Sequence, residues 1–333
     1  MRRRDFAMGL LLAGAARTLR AQERAKQPRI AIVVSTGSAT SINDKGTRAW
    51  QAFFEELRRL GDVEGQNLTV ERYSGKGRPE GLGDLAREVV SRNPGLILAI
   101  GPLITLAVSA MTDTIPIVAT GTHTSSGVPS LARPGGNITG ARVELGYEIF
   151  GKRLQILKEA VPSASKVAYL DIRAFWESTS GQQIREQLRQ ASRLLQVSLT
   201  DVLVQESAPS EYQRVFAEIA RDPPDAIIVS STSELFPYRQ LIVELVAKSR
   251  LPGMYAWRDY VEAGGLMAYG TDLVEIWRRL ADDVHEILNG AKPGDIPIYQ
   301  PTKFEFLINL KTAKDVGLTI PPTLLALADE VIE

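Results

Sequence analysis

Three short apolar runs occur twice in this chain, in the same order and at nearly the same spacing. The first copy comprises residues 29–33 (RIAIV), 94–101 (PGLILAIG) and 114–119 (TIPIVA), and the second comprises residues 166–170 (KVAYL), 224–231 (PDAIIVSS) and 250–256 (RLPGMYA). Short apolar runs that are bounded by proline or glycine and separated by helix-period segments are typical of buried parallel strands in βαβ units. The duplication therefore predicts an α/β protein with two similar doubly wound parallel-sheet lobes joined by a hinge.

The order of the predicted elements divides the chain between these lobes. We expect residues 28–143 plus 271–303 to form lobe I, and residues 144–270 plus 304–333 to form lobe II. No Gly/Ser-rich linker separates the halves, which favours a hinge built from strand-like crossings. Ligands of open α/β sheets bind beyond the carboxyl ends of the strands. The cleft between the lobes is therefore the predicted binding site.

Residues 1–21 have the pattern of an export signal. Three arginines at positions 2–4 precede an apolar run at residues 6–16, and small residues near Ala21 offer a cleavage site. Residues 3–6 (RRDF) also match the twin-arginine pattern, with the general secretory route as the alternative. The apolar run is too short to span a bilayer comfortably, and the chain has no cysteine for lipid attachment. We therefore expect cleavage near Ala21 and a periplasmic protein.

Composition argues against several classes of function. The chain has no cysteine and only two histidines, which are far apart, so we expect no metal site and no cofactor. Its 39 basic and 39 acidic residues balance, and no basic run with interleaved aromatic residues indicates a nucleic-acid partner. No nucleophile elbow or dinucleotide fingerprint occurs, and the glycine-rich residues 75–83 lack the ending of a phosphate-binding loop. These observations predict a binding protein and not an enzyme.

Polar loops follow three predicted strands of lobe I. Small side chains there let backbone N–H groups and hydroxyls approach a ligand closely, so these loops should hold its polar end. Helix capping is the alternative role for the first loop. The candidate residues are Ser35, Thr36, Gly37, Ser38, Gly101, Pro102, Thr120, Gly121 and Thr122.

Aromatic and charged side chains follow the matching strands of lobe II. Tyrosine and tryptophan present flat apolar faces with one polar tip, which suits an aromatic or apolar ligand, although each ring could instead pack at the rim or hinge. Asp171 and Arg173 would together clamp an amino acid, or Arg173 alone would pair with a carboxylate. The candidate residues are Asp171, Arg173, Trp176, Ser231, Tyr255 and Trp257.

Several longer motifs resemble one known family. They are residues 60–68 (LGDVEGQNL), 130–136 (SLARPGG), 136–140 (GNITG), 261–270 (VEAGGLMAYG), 301–314 (PTKFEFLINLKTAK) and 320–322 (IPP). Together they resemble the ABC-transporter substrate-binding proteins of the tryptophan/tyrosine type, over roughly residues 28–333. The resemblance implies the type I periplasmic-binding fold, with crossings between the lobes near residues 144, 270 and 303. It also implies a secreted receptor that delivers a small solute to an ABC permease in the inner membrane.

The chain departs from the family pattern in two predicted pocket loops. An Asp-Pro pair is missing from residues 120–126, and an Asn-Pro pair is replaced at residues 171–176. The expected ligand is therefore an amino acid, an aromatic amino acid or another aromatic or carboxylate solute, bound by a monomer. Two alternatives stay open. One is a ligand-sensing partner of a membrane receptor kinase, and the less favoured one is a hydrolase or transferase on the same framework.

Overall fold

The first lobe is built on a parallel sheet of five strands. The computed structural model describes residues 27–121, 128–144 and 146–333, so the predicted export signal at 1–21 and the candidate Thr122 lie outside the described residues. The strands are β1 (Arg29–Val34), β2 (Thr69–Ser74), β3 (Leu96–Ile100), β4 (Ile117–Thr120) and β5 (Ile138–Ala141), in the order β2-β1-β3-β4-β5. The helices that connect them are α1 (Arg48–Leu60), α2 (Leu82–Ser91) and α3 (Pro102–Ser109). Strands β3, β4 and β5 are buried along their whole length, as expected where helices cover both faces.

In the part of the chain that the structure describes, the second lobe has a sheet of seven strands in the order β12-β11-β10-β9-β8-β6-β7. Its strands are β6 (Lys166–Ile172), β7 (Ser198–Val204), β8 (Ala226–Val229), β9 (Gly253–Tyr255), β10 (Met267–Thr271), β11 (Phe304–Asn309) and β12 (Glu330–Ile332). All neighbours pair in parallel except β10 and β11, which are antiparallel. The prediction of two parallel-sheet α/β lobes is confirmed.

Helices of the second lobe connect these strands and follow the last crossing. They are α4 (Glu148–Ala160), α5 (Arg173–Trp176), α6 (Thr179–Leu195), α7 (Pro209–Ile219), α8 (Arg239–Lys248), α9 (Arg258–Glu262), α11 (Leu310–Asp315) and α12 (Pro322–Leu327). Helix α6 begins where Ser178 accepts a hydrogen bond from the Gly181 N–H at 3.2 Å. That side chain satisfies a free N–H of the first turn and so fixes the start of the helix.

Helix α10 (Leu273–Leu288) follows a strand of the second lobe but belongs to the core of the first. It packs against α1 and lies over β3, β4 and β5. Trp277 of α10 meets Trp50 of α1 edge to face, with ring centroids 6.1 Å apart. The chain then runs to Tyr299, whose backbone pairs with β5 at Gly140 and Arg142, before it re-enters the second sheet as β11. The described chain therefore passes between the lobes after β5, after β10 and before β11.

The lobes touch each other across the mouth of the cleft. The backbone N–H of Ser207 in the second lobe donates to the carbonyl of Gly77 in the first, at 2.9 Å. Arg48 of α1 pairs with Glu262 of α9 at 2.8 Å, and both side chains are half-exposed. The two rims of the cleft are therefore in contact. Among the described residues, no helix is long and apolar enough to cross a membrane.

Gly77 tests whether this contact governs closure in solution. Its φ is +76°, and an added Cβ would lie 2.5 Å from the carbonyl oxygen of Ser207. Gly65 is the matched control, because its φ is +80° and nothing lies within 4 Å of its added Cβ. Alanine at either position should cost about 1–2 kcal/mol through the left-handed backbone. Only Gly77→Ala should also push the two rims apart and raise the radius of gyration in small-angle scattering. Equal radii of gyration for the two variants would contradict the idea that this contact controls how far the lobes close.

Candidate ligand-binding site

The loops at the carboxyl ends of β1, β3 and β4 face those that follow β8 and β9, and a cleft lies between them. It has two compartments that share the side chains of Ile100, Ser233, Trp257, Leu273 and Trp277. The outer compartment has a volume of about 330 Å³, and the smaller hinge compartment, beside the first crossing, adds about 70 Å³. Cavities of this order hold small organic solutes.

The outer compartment combines hydroxyls of the first lobe with aromatic rings from both lobes. Residues 35–38 and Thr47 supply the hydroxyls, and Trp50, Phe236 and Trp257 supply the rings. The Thr36 hydroxyl is buried in this wall and has no hydrogen-bond partner among the described residues. Arg239 also lines this compartment, where its guanidinium lies 4.8 Å from the ring centroid of Phe236.

The hinge compartment is more aromatic and carries one acidic side chain. Gly101, Pro102, Thr120 and Gly121 line it from the first lobe, and Ser231 and Thr232 line it from the second. Between them lie Glu144, Tyr147 and Phe150 from the first crossing and α4, with Phe175 of α5. Gly101 has a φ of +115°, and an added Cβ would lie 2.5 Å from the Ser233 hydroxyl. Only glycine therefore lets the lobes approach at this point.

Trp257 and Trp277 line both compartments from opposite lobes. Trp257 follows β9 in the second lobe, whereas Trp277 lies on α10 in the first. The two indole N–H groups are buried and find no acceptor among the described residues. Edge-on packing with Phe236 at 5.4 Å and with Trp50 at 6.1 Å holds the two indoles in place. The walls of the cleft thus present rigid rings together with two unused donors.

The structure brings ten of the predicted site residues to this cleft. They are Ser35, Thr36, Gly37, Ser38, Gly101, Pro102, Thr120, Gly121, Ser231 and Trp257. It places four others outside the lining: Asp171, Arg173, Trp176 and Tyr255. Strand β6 continues to Ile172 and α5 begins at once, so the polar loop expected after Leu170 is replaced by strand and helix. Because of that extension, the side chains of Asp171, Arg173 and Trp176 contact other residues of the second lobe and do not line the cleft.

Asp171 lies behind the cleft rather than in its wall. Its carboxylate is fully buried and accepts hydrogen bonds from the Thr232 hydroxyl at 2.6 Å and from the Ile172 N–H at 2.7 Å. Burial raises the pKa of this carboxyl from 3.8 to about 7, against the opposing effect of these hydrogen bonds. Asp171 therefore supports the loop that carries Ser231 and Thr232.

The other three residues make contacts within the second lobe. Arg173 pairs with Glu177 at 3.2 Å and lines a separate polar groove beside β7. Trp176 stacks on Tyr169 at 4.9 Å and donates its indole N–H to Asp201. Tyr255 stacks on another buried tyrosine, at 5.0 Å, in the core. Its ring therefore packs the sheet, and Phe175 takes the place expected for Trp176 in the cleft.

Several lining residues escaped the sequence analysis. Trp50 and Trp277 lie on the apolar faces of amphipathic helices, a position that sequence alone assigns to the core. Their shared face becomes a cleft wall only because α10 returns to the first lobe. Glu144 could have been found from the sequence. It is an acidic residue in a predicted crossing, and Arg153 lies nine positions later on the predicted helix, so the two could form an ion pair. In the described residues, no group of three or more His, Asp or Glu side chains is placed to hold a metal ion.

Comparison with known proteins identifies the family. The family described as ABC transporter substrate binding protein matches residues 40–332, which is most of the chain. The chain belongs to this family. The chain is also 24% identical, over 281 residues, to a protein named tyrosine-binding protein from Clostridioides difficile (strain R20291). That alignment covers 81% of this chain and 77% of the relative.

Solved structures agree with the fold. A conserved domain protein from Vibrio cholerae superposes with a TM-score of 0.79 at 23% identity, over 92% of this chain and 100% of the other. The ABC domain from Streptococcus pneumonia, solved in complex with L-Trp, superposes with a TM-score of 0.77 at 19% identity and the same coverage. The predicted periplasmic-binding fold and the role in binding a transported solute are confirmed for this substrate binding protein.

Asp171 gives this substrate binding protein a pH dependence of known sign. Its folded pKa of about 7 exceeds the usual 3.8, so the buried carboxyl stabilises the fold below pH 3.8, and this contribution is lost as pH rises through about 7. Asp171→Asn keeps an oxygen acceptor but removes the charge. Relative to the parent protein, the variant should gain on the order of 2 kcal/mol in the free energy of unfolding between pH 5 and pH 8. Denaturant unfolding at both pH values measures this; a difference that is constant with pH would contradict it.

Proposed function

We propose that the protein captures an aromatic amino acid, or a closely related aromatic solute, between its lobes and delivers it to an ABC permease. The observation that carries the proposal is the pair of tryptophans, Trp257 and Trp277, which face one cleft from opposite lobes. A planar ligand between them gains contact with both lobes at once. The relatives support the same class of ligand, since one is named for tyrosine and another was solved with L-Trp.

Closure follows from this arrangement. We propose that residues 28–143 plus 271–303 move as lobe I against lobe II, residues 144–270 plus 304–333, about the three crossings. A ligand that touches both lobes binds the closed state more tightly, so it shifts the population toward that state by its differential affinity. The polar wall of residues 35–38, Gly101 and Thr120 would hold the end of the ligand that the rings do not cover.

The aromatic wall is tested by three leucine variants. Trp257→Leu and Trp277→Leu remove rings from the cleft, whereas Trp176→Leu removes a ring that is buried outside it. Binding of L-tryptophan, L-tyrosine and L-leucine would be measured by calorimetry. We expect the aromatic amino acids to bind best, the two cleft variants to weaken them at least tenfold, and Trp176→Leu to lower stability with affinity within about twofold. Equal affinity in all three variants would contradict the proposed wall.

Cellular location and partner belong to the same proposal. We propose that residues 1–21 direct export, that the mature protein acts in the periplasm as a monomer without catalysis, and that its partner is an ABC permease of the inner membrane. The family supports this, because its members serve ABC transporters. Solute transfer also needs no nucleophile or general base.

Export is tested by fractionation and N-terminal sequencing. We expect the parent protein in the periplasmic fraction, with a new N-terminus near Ala21. Replacing both Arg3 and Arg4 by lysine should hold the protein in the cytoplasm if the twin-arginine route is used. Replacing Arg17 and Arg20 by lysine is the matched control and should leave export unchanged. A full-length protein in the cytosol of cells that express the parent sequence would contradict the proposed location.

A further inference from the structure

We propose that Glu144 binds the ammonium group of the ligand, so that the cleft selects α-amino acids over aromatic acids of the same shape that lack the amine. This inference rests on the proposed function and names the polar chemistry of the same site. It starts from Glu144 in the first crossing, which lines the hinge compartment, and from the state of its two carboxylate oxygens.

The two oxygens of Glu144 have different surroundings. Its side chain is only 9% exposed, and Oε1 accepts a hydrogen bond from an Arg153 guanidinium N–H at 2.8 Å. Oε2 is buried and has no hydrogen-bond partner among the described residues. A buried carboxylate oxygen without a donor costs free energy, and such atoms are rare in folded proteins. A donor from the ligand would remove that cost.

Arg153 holds Glu144 in place. Its Nε donates to the carbonyl of Tyr269 in β10 at 2.7 Å, and its side chain is 1% exposed. The planar guanidinium also pairs with Oε1 of Glu144 through Nη2. Arg153 is therefore a positioning residue: it fixes one carboxylate oxygen of Glu144 and leaves the other without a protein donor.

Charge balance decides which ligand fits. The ion pair of Arg153 and Glu144 is neutral, and within the described residues Glu144 is the one carboxylate or cationic side chain that lines the hinge compartment. A zwitterion adds no net charge to this buried region, whereas an anion without an amine would bring a second negative charge close to Glu144. The zwitterion also supplies the N–H donor that Oε2 lacks.

The other walls of the compartment suit the same ligand. Tyr147, Phe150 and Phe175 line the compartment together with Glu144, and aromatic faces attract ammonium groups. Trp257 and Trp277 line the same space, and their unpartnered indole N–H groups can donate to the ligand carboxylate. The compartment therefore holds an acceptor for the amine and donors for the acid.

Two other buried acids near the cleft do not offer this site. Asp171 is held by the Thr232 hydroxyl and does not line either compartment. Glu234 accepts from the Ser233 hydroxyl at 2.9 Å and is likewise absent from the lining. Burial raises the pKa of both carboxyls, which favours their neutral forms. Glu144 is thus the acid that meets the requirements.

The experiment compares two matched ligands by calorimetry at pH 7. L-tryptophan and indole-3-propionate share the ring and the carboxylate, and only the first has an amine. We expect the parent protein to bind L-tryptophan at least thirtyfold more tightly. Glu144→Gln should weaken L-tryptophan about thirtyfold and should not weaken indole-3-propionate, whose carboxylate no longer meets a second negative charge. Glu148→Gln, which alters an exposed carboxylate four residues on, is the control and should leave both affinities unchanged.

A second variant guards against misfolding, because Glu144→Gln leaves a buried arginine without its carboxylate. The double variant Glu144→Gln with Arg153→Met removes both charges at similar volume, and it should also lose the preference for the amine. Retention of that preference in folded Glu144 variants, or equal binding of the two ligands by the parent protein, would overturn the role of Glu144 but leave an aromatic solute receptor. If the parent protein binds neither L-tryptophan, L-tyrosine nor their des-amino analogues, the proposed function and this inference both fail.

Discussion

The buried ion pair between Arg153 and Glu144 ties together the parts of the chain on which the two-lobe arrangement depends. Glu144 lies in the first crossing, and Arg153 also donates to the Tyr269 carbonyl in β10, the strand that leads into the second crossing. The Thr271 hydroxyl adds a bond of 2.7 Å to the Val143 carbonyl, so the two crossings lie side by side. Burying two charges costs several kcal/mol per ion in desolvation. Removing one partner would leave the other as a buried charge without compensation, which is strongly destabilising.

The cleft results from placing two similar sheets so that their carboxyl ends face each other. Each sheet directs its loops to that edge, but the loops differ in chemistry. The first lobe supplies hydroxyls and glycines, whereas the second supplies Trp257 and Phe236. One element breaks the symmetry. Helix α10 carries Trp277 into the first lobe, where it joins Trp50 and adds a second ring to a wall that also carries hydroxyls. The duplicated framework therefore yields a site in which both walls carry aromatic rings and the first lobe supplies most of the hydroxyls.

Sequence reasoning predicted the framework better than the site. The apolar runs at 29–33, 94–101 and 166–170 formed parallel strands, because fully buried strands have a pattern that local sequence carries. The loops after β1, β3 and β4 reached the cleft for the same reason. The positions of the lobe II side chains were harder to predict. Strand β6 runs two residues beyond its apolar run, so the expected loop after Leu170 is absent from the described structure. Burial of Trp176 and Tyr255 against other rings depends on tertiary packing that residue type does not reveal.

The position of α10 also constrains how the chain acquires its structure. Its partner α1 is made early in synthesis, yet the two helices are separated by more than half of the sequence. Until residues 273–288 emerge, the apolar face of α1 with Trp50, Phe53 and Leu57 lacks the cover that α10 provides. Contacts between segments so distant in sequence form slowly, because a long loop must close first. The first lobe can therefore complete its core only after most of the chain has been synthesised, and until then this apolar face is a site for non-native association.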